Sequence, residues 1–137
     1  KELKKAAAGD EDIHLIINTT EKNDITYNSL QRQSDIIVQK SLKEGFGLVV
    51  TEAMWKEKAV IGGNTVGIAM QIDDKKTGFL VNNIEECAER IIYLLEHPEI
   101  GKKIGQAAKE NVRKKYLMPR LVRDELAVYR ELINRRK

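Results

Sequence analysis

An α/β layered domain built on a parallel sheet is the fold class this sequence predicts, and three observations predict it. Short clusters of aliphatic, mostly β-branched residues recur at IHLII (13–17), DIIV (35–38), AVIG (59–62) and GFLV (78–81). They are continuous rather than alternating, the pattern of strands covered on both faces. Helical stretches separate the first three clusters, and the last third of the chain reads as helix alone.

Taken in order, the run from Ile13 to Ile17 predicts a first strand, and Asp24 to Ser34 a helix. A second strand runs to about Gln39, a loop crosses Lys40 to Phe46, and a helix from Gly47 to Glu57 offers Leu48, Val49, Ala53 and Met54 to one face. A strand at 59–62, a short helix from Val66 to Ile72 and a strand at 78–81 follow. Asn83 with Glu86 three residues on has the form of a capping box. Ile84, Cys87, Ala88, Ile91, Leu94 and Leu95 then keep helical spacing. Pro98 and Pro119 each suit the first turn of a helix, where a missing N–H loses no bond. The first of these helices carries Ile104, Ala108, Val112 and Tyr116, and the second a stripe of Val122, Leu126, Tyr129, Leu132 and Ile133.

At 137 residues, 42% hydrophobic and 33% charged, the chain fits one ordered domain, taken as residues 1–137. A net charge of +3 is too small to argue for nucleic acid or an anionic membrane. The basic cluster from Arg113 to Arg136 lacks the interleaved aromatics of a nucleic-acid binder and reads as a solvated helix face. One cysteine, Cys87, excludes an intrachain disulfide and reads as a small buried apolar residue. No run reaches the roughly 18 apolar residues of a membrane span, and no hydrophobic stretch follows the N-terminal lysines as in a signal peptide. A cytoplasmic protein is the expectation. His14 and His97 have no Cys or carboxylate at ligand spacing, so no metal is expected. Asp73-Asp74 reads as a solvated turn, and Trp55 as packing.

The chemistry concentrates in KEGFGLVVTEAMW, Lys43 to Trp55. Its loop leaves the carboxyl end of a strand, where open α/β sheets place ligands. Gly45 and Gly47 admit close approach to the backbone. The first N–H groups of the helix, from Gly47, Leu48 and Val49, lack intrahelical partners and form an anion site suited to phosphate. Glu44 lies ahead of the helix start and Glu52 more than a turn inside it, about 7–8 Å along the axis from Gly47. A diphosphate at the helix start would have a hydroxyl-bearing group on either side, and a carboxylate accepts from two neighbouring hydroxyls. The residues alone fit a nucleotide-sugar cradle or a plain strand-to-helix turn. Phe46 fits a ring closing over a sugar or a packed loop anchor. Neither a Walker loop nor a dinucleotide G-x-G-x-x-G is present.

The order EGFGL, second Glu, EKAVI, VGI and DKKTGFLV resembles the C-terminal half of the GT-B retaining glycosyltransferases of the glycogen-synthase-like group, family 4. Its wording is nearest to the archaeal-type trehalose-forming members, and the likeness runs from about Ile13 to the end. The resemblance implies a partial Rossmann-like parallel sheet with a helical C-terminal third. It implies Glu44 at the donor sugar, in the catalytic position, and Glu52 on the nucleotide ribose. Gly45, Phe46, Gly47, Leu48 and Val49 would meet sugar and diphosphate, and Asn18 and Thr19 would lie near the base. The donor would be a nucleotide-diphosphate sugar, transferred with retention and without metal or other cofactor. In that group an N-terminal domain, together with an Arg and a Lys ahead of this region, completes the enzyme. The expectation is therefore a donor-binding domain truncated at its N-terminal side and poorly active alone, or a non-catalytic oligomerising module of the same fold. Strand Ile13–Ile17 would lack a neighbour, so a rearranged sheet or a homo-oligomer joined through strand edges is expected. Three pieces depart from the group's pattern. In EKAVI, Glu57 and Ala59 stand where glycine and proline are usual; in VGI, Val66 stands in the first glycine position; and Asp73-Asp74-Lys75-Lys76-Thr77 replaces the acidic-glycine turn.

Overall fold

The computed structural model describes residues 2–16 and 23–135. A short helix α1 (Glu2–Ala6) precedes α2 (Asn23–Gln33). Then β1 (Ile36–Gln39), α3 (Leu48–Trp55), β2 (Ala59–Gly63), α4 (Val66–Ala69) and β3 (Phe79–Val81) alternate. The C-terminal part is helical: α5 (Ile84–Glu96), α6 (Pro98–Lys115) and α7 (Met118–Asn134). The strands form one parallel sheet in the order β1-β2-β3, with Val38 opposite Ile61 and Ile61 opposite Phe79. This is the α/β architecture expected, a parallel sheet with a helical C-terminal third.

Every residue of β2 is buried, which is why its sequence shows no polar alternation. Val60 joins Val50, Ala53 and Met54 of α3, Ile68 of α4, and Ala108 and Val112 of α6 on one face. Ala59 and Ile61 point the other way, to Phe79, Val81, Cys87 and Leu94 with Ile104 of α6. One helix, α6, therefore touches both cores. It comes close enough to do so because a Cβ on Gly105 would stand 2.0 Å from the Glu57 carbonyl oxygen.

The helix signals act as their chemistry requires. The Glu86 amide donates to Asn83 Oδ1 at 2.7 Å, Asn83 Nδ2 donates to Glu86 Oε1 at 3.1 Å, and the Asn82 amide donates to Glu86 Oε2 at 2.7 Å. That backbone donor, more than any other group, holds the Glu86 carboxyl below the usual range. Pro98 occupies the first turn of α6. Among the described residues, two turns carry a left-handed backbone on residues other than glycine, Glu57 at φ 60° and Lys75 at φ 62°. Glu57 gains a pair there: its Oε1 lies 2.6 Å from Lys109 Nζ, which also sits 5.7 Å from the Trp55 ring.

Three expectations require correction. Residues 13–16 form no strand, and Ile13, Leu15 and Ile16 are 44–49% exposed; Ile17 lies outside the described residues. An apolar run becomes a strand only by pairing, and no described segment offers it a ladder partner, so the expected gap between it and β1 does not arise. In α3 the buried residues are Val50, Thr51, Ala53 and Met54, while Leu48 and Val49 are 67% and 40% exposed. The helix start overhangs the open end of the sheet, so its first apolar residues meet no core. Helix α7 forms where the Pro119 pattern predicts, yet Val122, Leu126, Tyr129, Leu132 and Ile133 are 46–62% exposed. Periodicity establishes an apolar stripe and says nothing of what covers it. Helix α5 is mixed: Cys87 and Leu94 are buried, Ile84 and Leu95 exposed.

Lys75 is mostly a backbone problem, since no described ion pair holds its side chain. Lys75→Gly is expected to stabilise the protein by about 1 kcal/mol, the left-handed penalty less the entropy of the added glycine. Thermal unfolding checks this, and a lowered melting temperature would contradict it. Glu57→Gly should gain less, because it also removes the Lys109 pair.

Candidate functional site

The site is assembled where the chain turns from β1 into α3. Residues 40–47 leave the carboxyl end of β1, and Gly47 caps α3 with φ 86° and ψ 67°, a conformation open to glycine at little cost. No side chain caps the helix, and its first turn carries no acidic residue. The helix start is thus free to take an anion from outside.

Glu44 lies against that start. A Cβ on Gly47 would sit 3.1 Å from Glu44 Cγ, so the glycine leaves the room the carboxylate arm uses. Gln39 Nε2 donates to Ser41 Oγ at 2.8 Å, and Ser41 Oγ donates to Glu44 Oε2 at 3.4 Å. A polar relay from the end of β1 therefore orients the carboxylate.

Two further segments hold the loop. Gly63 at the end of β2 passes over it, where an added Cβ would meet the Ser41 carbonyl oxygen at 2.7 Å. Gly67 in α4 rests on it more closely, with a Cβ position 2.6 Å from the Glu44 carbonyl oxygen and 2.5 Å from that of Gly45. Gln71, only 1% exposed, directs its Nε2 to the carbonyls of Phe46, Gly47 (3.4 Å) and Gly67 (3.1 Å). The end of α6 secures this segment from behind. Asn111 Nδ2 donates to the Gln71 carbonyl at 2.9 Å, and the Tyr116 hydroxyl donates to the Met70 carbonyl at 2.7 Å. Burial pushes the Tyr116 hydroxyl above its usual pKa, which keeps it a donor. The Phe46 ring meets Tyr116 edge-on at 5.8 Å, so Phe46 serves as a loop anchor.

Glu52 stands on the exposed side of α3, facing a cavity of 840 Å³ between α2 and α3 whose walls include Asp24, Tyr27, Gln31, Ile37 and Val49. It accepts from Gln31 Nε2 at 3.3 Å, and Lys56 Nζ donates to Gln31 Oε1 at 2.5 Å. The structure thus gathers Glu44, Gly45, Phe46, Gly47, Leu48 and Val49 around the helix start, with Glu52 beyond them. Asn18 and Thr19 lie outside the described residues. No cluster of metal-ligating side chains occurs among the described residues. Gln39, Ser41, Gln71, Asn111 and Tyr116 were missed in the sequence reading. For Gln71 a signal existed, a polar residue inside the apolar run VGIAMQI.

Comparisons with known proteins bear on the family and the fold. Residues 1–111 match the family model described as Glycosyl transferases group 1. Over 125 residues the chain is 43% identical to the trehalose synthase of Thermococcus litoralis, covering 91% of this chain and 29% of that protein. The chain thus spans less than a third of that relative. The C-terminal domain of a glycosyl transferase group 1 protein, LpcC from Francisella tularensis, superposes with a TM-score of 0.72 at 32% identity, covering 85% of this chain and 60% of that one. Anabaena Alr3699/HepE, solved in complex with UDP-glucose, gives a TM-score of 0.58 at 25% identity over 61% of this chain and 24% of its own.

Because Gly67 packs on two backbone carbonyls, neither able to swing away as a side chain would, Gly67→Ala must shift the loop or α4. We expect a loss of about 1–3 kcal/mol of stability, read by chemical denaturation. A melting curve unchanged from the parent would contradict the packing described.

Proposed function

Since the chain belongs to the glycosyl transferases group 1 family, we propose that it is a donor domain binding a nucleotide-diphosphate sugar, trehalose-synthase-like in its specificity. The observation that carries this is the uncapped start of α3, flanked by Glu44 on one side and by Glu52 and its cavity on the other. The helix N–H groups and dipole take the diphosphate. Glu44, oriented through Ser41, accepts from hydroxyls of the donor sugar, and Glu52 accepts from the ribose. Gly45, where a Cβ would meet nothing within 4 Å, leaves the sugar side of the loop open. That a relative of the same fold was solved with UDP-glucose supports the ligand class.

In the transfer reaction this reading implies, negative charge builds on the departing diphosphate. Preorganised N–H donors aimed at that charge stabilise it, and they need not reorganise as the bond breaks. In this reading the chain supplies those donors and the sugar contact, while acceptor and further cations come from outside the described site. Turnover by the chain alone is therefore slight. The location proposed is cytoplasmic; among the described residues no helix is long and apolar enough to cross a membrane. A second reading, an oligomerising module, is favoured by the exposed stripe of α7 and by β1 standing at the sheet edge. Concentration-dependent sedimentation with no nucleotide binding would support it instead.

Calorimetric titration with UDP, ADP and their glucose conjugates tests the first reading. Glu52→Ala should weaken all four by about tenfold, the scale of a lost charge-assisted hydrogen bond. Glu44→Ala should weaken only the glucose conjugates. Silence of the parent chain at millimolar ligand, or equal and negligible effects of both substitutions, would contradict the assignment.

A further inference from the structure

We infer that Gln71 is the positioning residue that turns the Gly47 amide toward the bound diphosphate, beside the Leu48 amide that α3 itself presents; this rests on the nucleotide-sugar reading above. In a trans peptide the C=O and the N–H point in opposite directions, and the described chain has no cis bonds. The Phe46 carbonyl belongs to the same peptide as the Gly47 amide, and the Gly47 carbonyl to the same peptide as the Leu48 amide. The Gln71 side-chain amide draws the Phe46 carbonyl to itself. The Gly47 carbonyl lies 3.4 Å from the same nitrogen, but it is held by α3 itself, through the Val50 amide at 2.9 Å. Gln71 thereby drives the Gly47 N–H outward, away from the core, beside the Leu48 N–H that the helix start directs outward. No acceptor among the described residues meets either amide.

Gln71 is well suited to hold this orientation. It is buried among Ile68, Ile72 and the other apolar residues of one core, where water does not compete for its two N–H groups. Its main chain is fixed independently through Asn111, so the side chain works from a rigid base on α6. The same Nε2 reaches the Gly67 carbonyl, coupling α4 to the orientation of the loop. Among the described residues its Oε1 finds no donor. Leucine or methionine at this position would lose the donors and also remove that orphan acceptor. The two effects on stability oppose each other, whereas on anion binding only the first acts.

The test uses the full chain, with inorganic pyrophosphate and UDP as probes. In the parent, amide resonances of Gly47 and Leu48 should move on titration with either probe. In Gln71→Leu and Gln71→Met, melting should change little, affinity for both probes should fall about tenfold, and the Gly47 amide should no longer respond. Variants that melt lower yet bind as the parent does when folded would reveal a structural role only and overturn the proposal. If the parent binds pyrophosphate without perturbing either amide, the orientation argument is overturned without recourse to a variant. If the parent binds neither probe, the nucleotide-sugar reading falls and this one with it. Tight binding by folded variants overturns the Gln71 assignment alone.

Discussion

The contact on which the rest depends is backbone against backbone: Gly67 of α4 laid on the carbonyls of Glu44 and Gly45. Any side chain at position 67 would hold the two segments apart. With hydrogen there, α4 lies close enough for Gln71, four residues on, to reach the Phe46 and Gly47 carbonyls. The loop is then held between α4 and β1, the Gly47 cap can take its left-handed turn, and α3 begins with free amides. Gly63 over Ser41 repeats the principle at the end of β2. Small residues bring main chains together, and the exposed side chains of Phe46, Leu48 and Val49 ring the opening that results.

Much of the fold was legible because its causes are local. The capping box at Asn83 and Glu86 and the proline in the first turn of α6 each act within a few residues, and sequence spacing reports them directly. The apolar run of β2 was legible for a different reason: burial on both faces leaves no position for a polar residue. What failed involved partners. Residues 13–16 have a strand's composition and no described neighbour to pair with. Leu48 and Val49 have core composition and lie where the helix overhangs its sheet. Of the candidate site, the glycine loop and both glutamates were readable, since their chemistry depends on spacing along one segment. The supports were not. Asn111 and Tyr116 sit at the end of α6 and donate to the Gln71 and Met70 carbonyls, contacts that only folding makes. Gln39 and Ser41 are near Glu44 in the chain, yet their spacing does not say which polar side chains pair.

The departures from the family pattern separate into two kinds once the backbone is known. Glu57 and Lys75 keep the left-handed conformation that glycine would adopt freely, so the shape of each turn survives the change of residue. At Glu57 the Lys109 pair offsets part of the strain; as a half-exposed ion pair it contributes at most about 1 kcal/mol. Val66 is another matter. It opens α4 with an exposed side chain beside Gly67, and therefore beside the loop that carries Glu44. The first two changes bear on stability, and the third borders the proposed sugar position.

The central claim is that a diphosphate sits at the start of α3, held by amides that the helix start presents, that of Gly47 oriented by Gln71. Hydrogen–deuterium exchange of the whole chain, with and without saturating UDP, tests it most directly. The account predicts slowed exchange in residues 44–50 and 65–71, with α5 and α7 unchanged. Protection confined to α5, α6 or α7, or no protection at all, would contradict it.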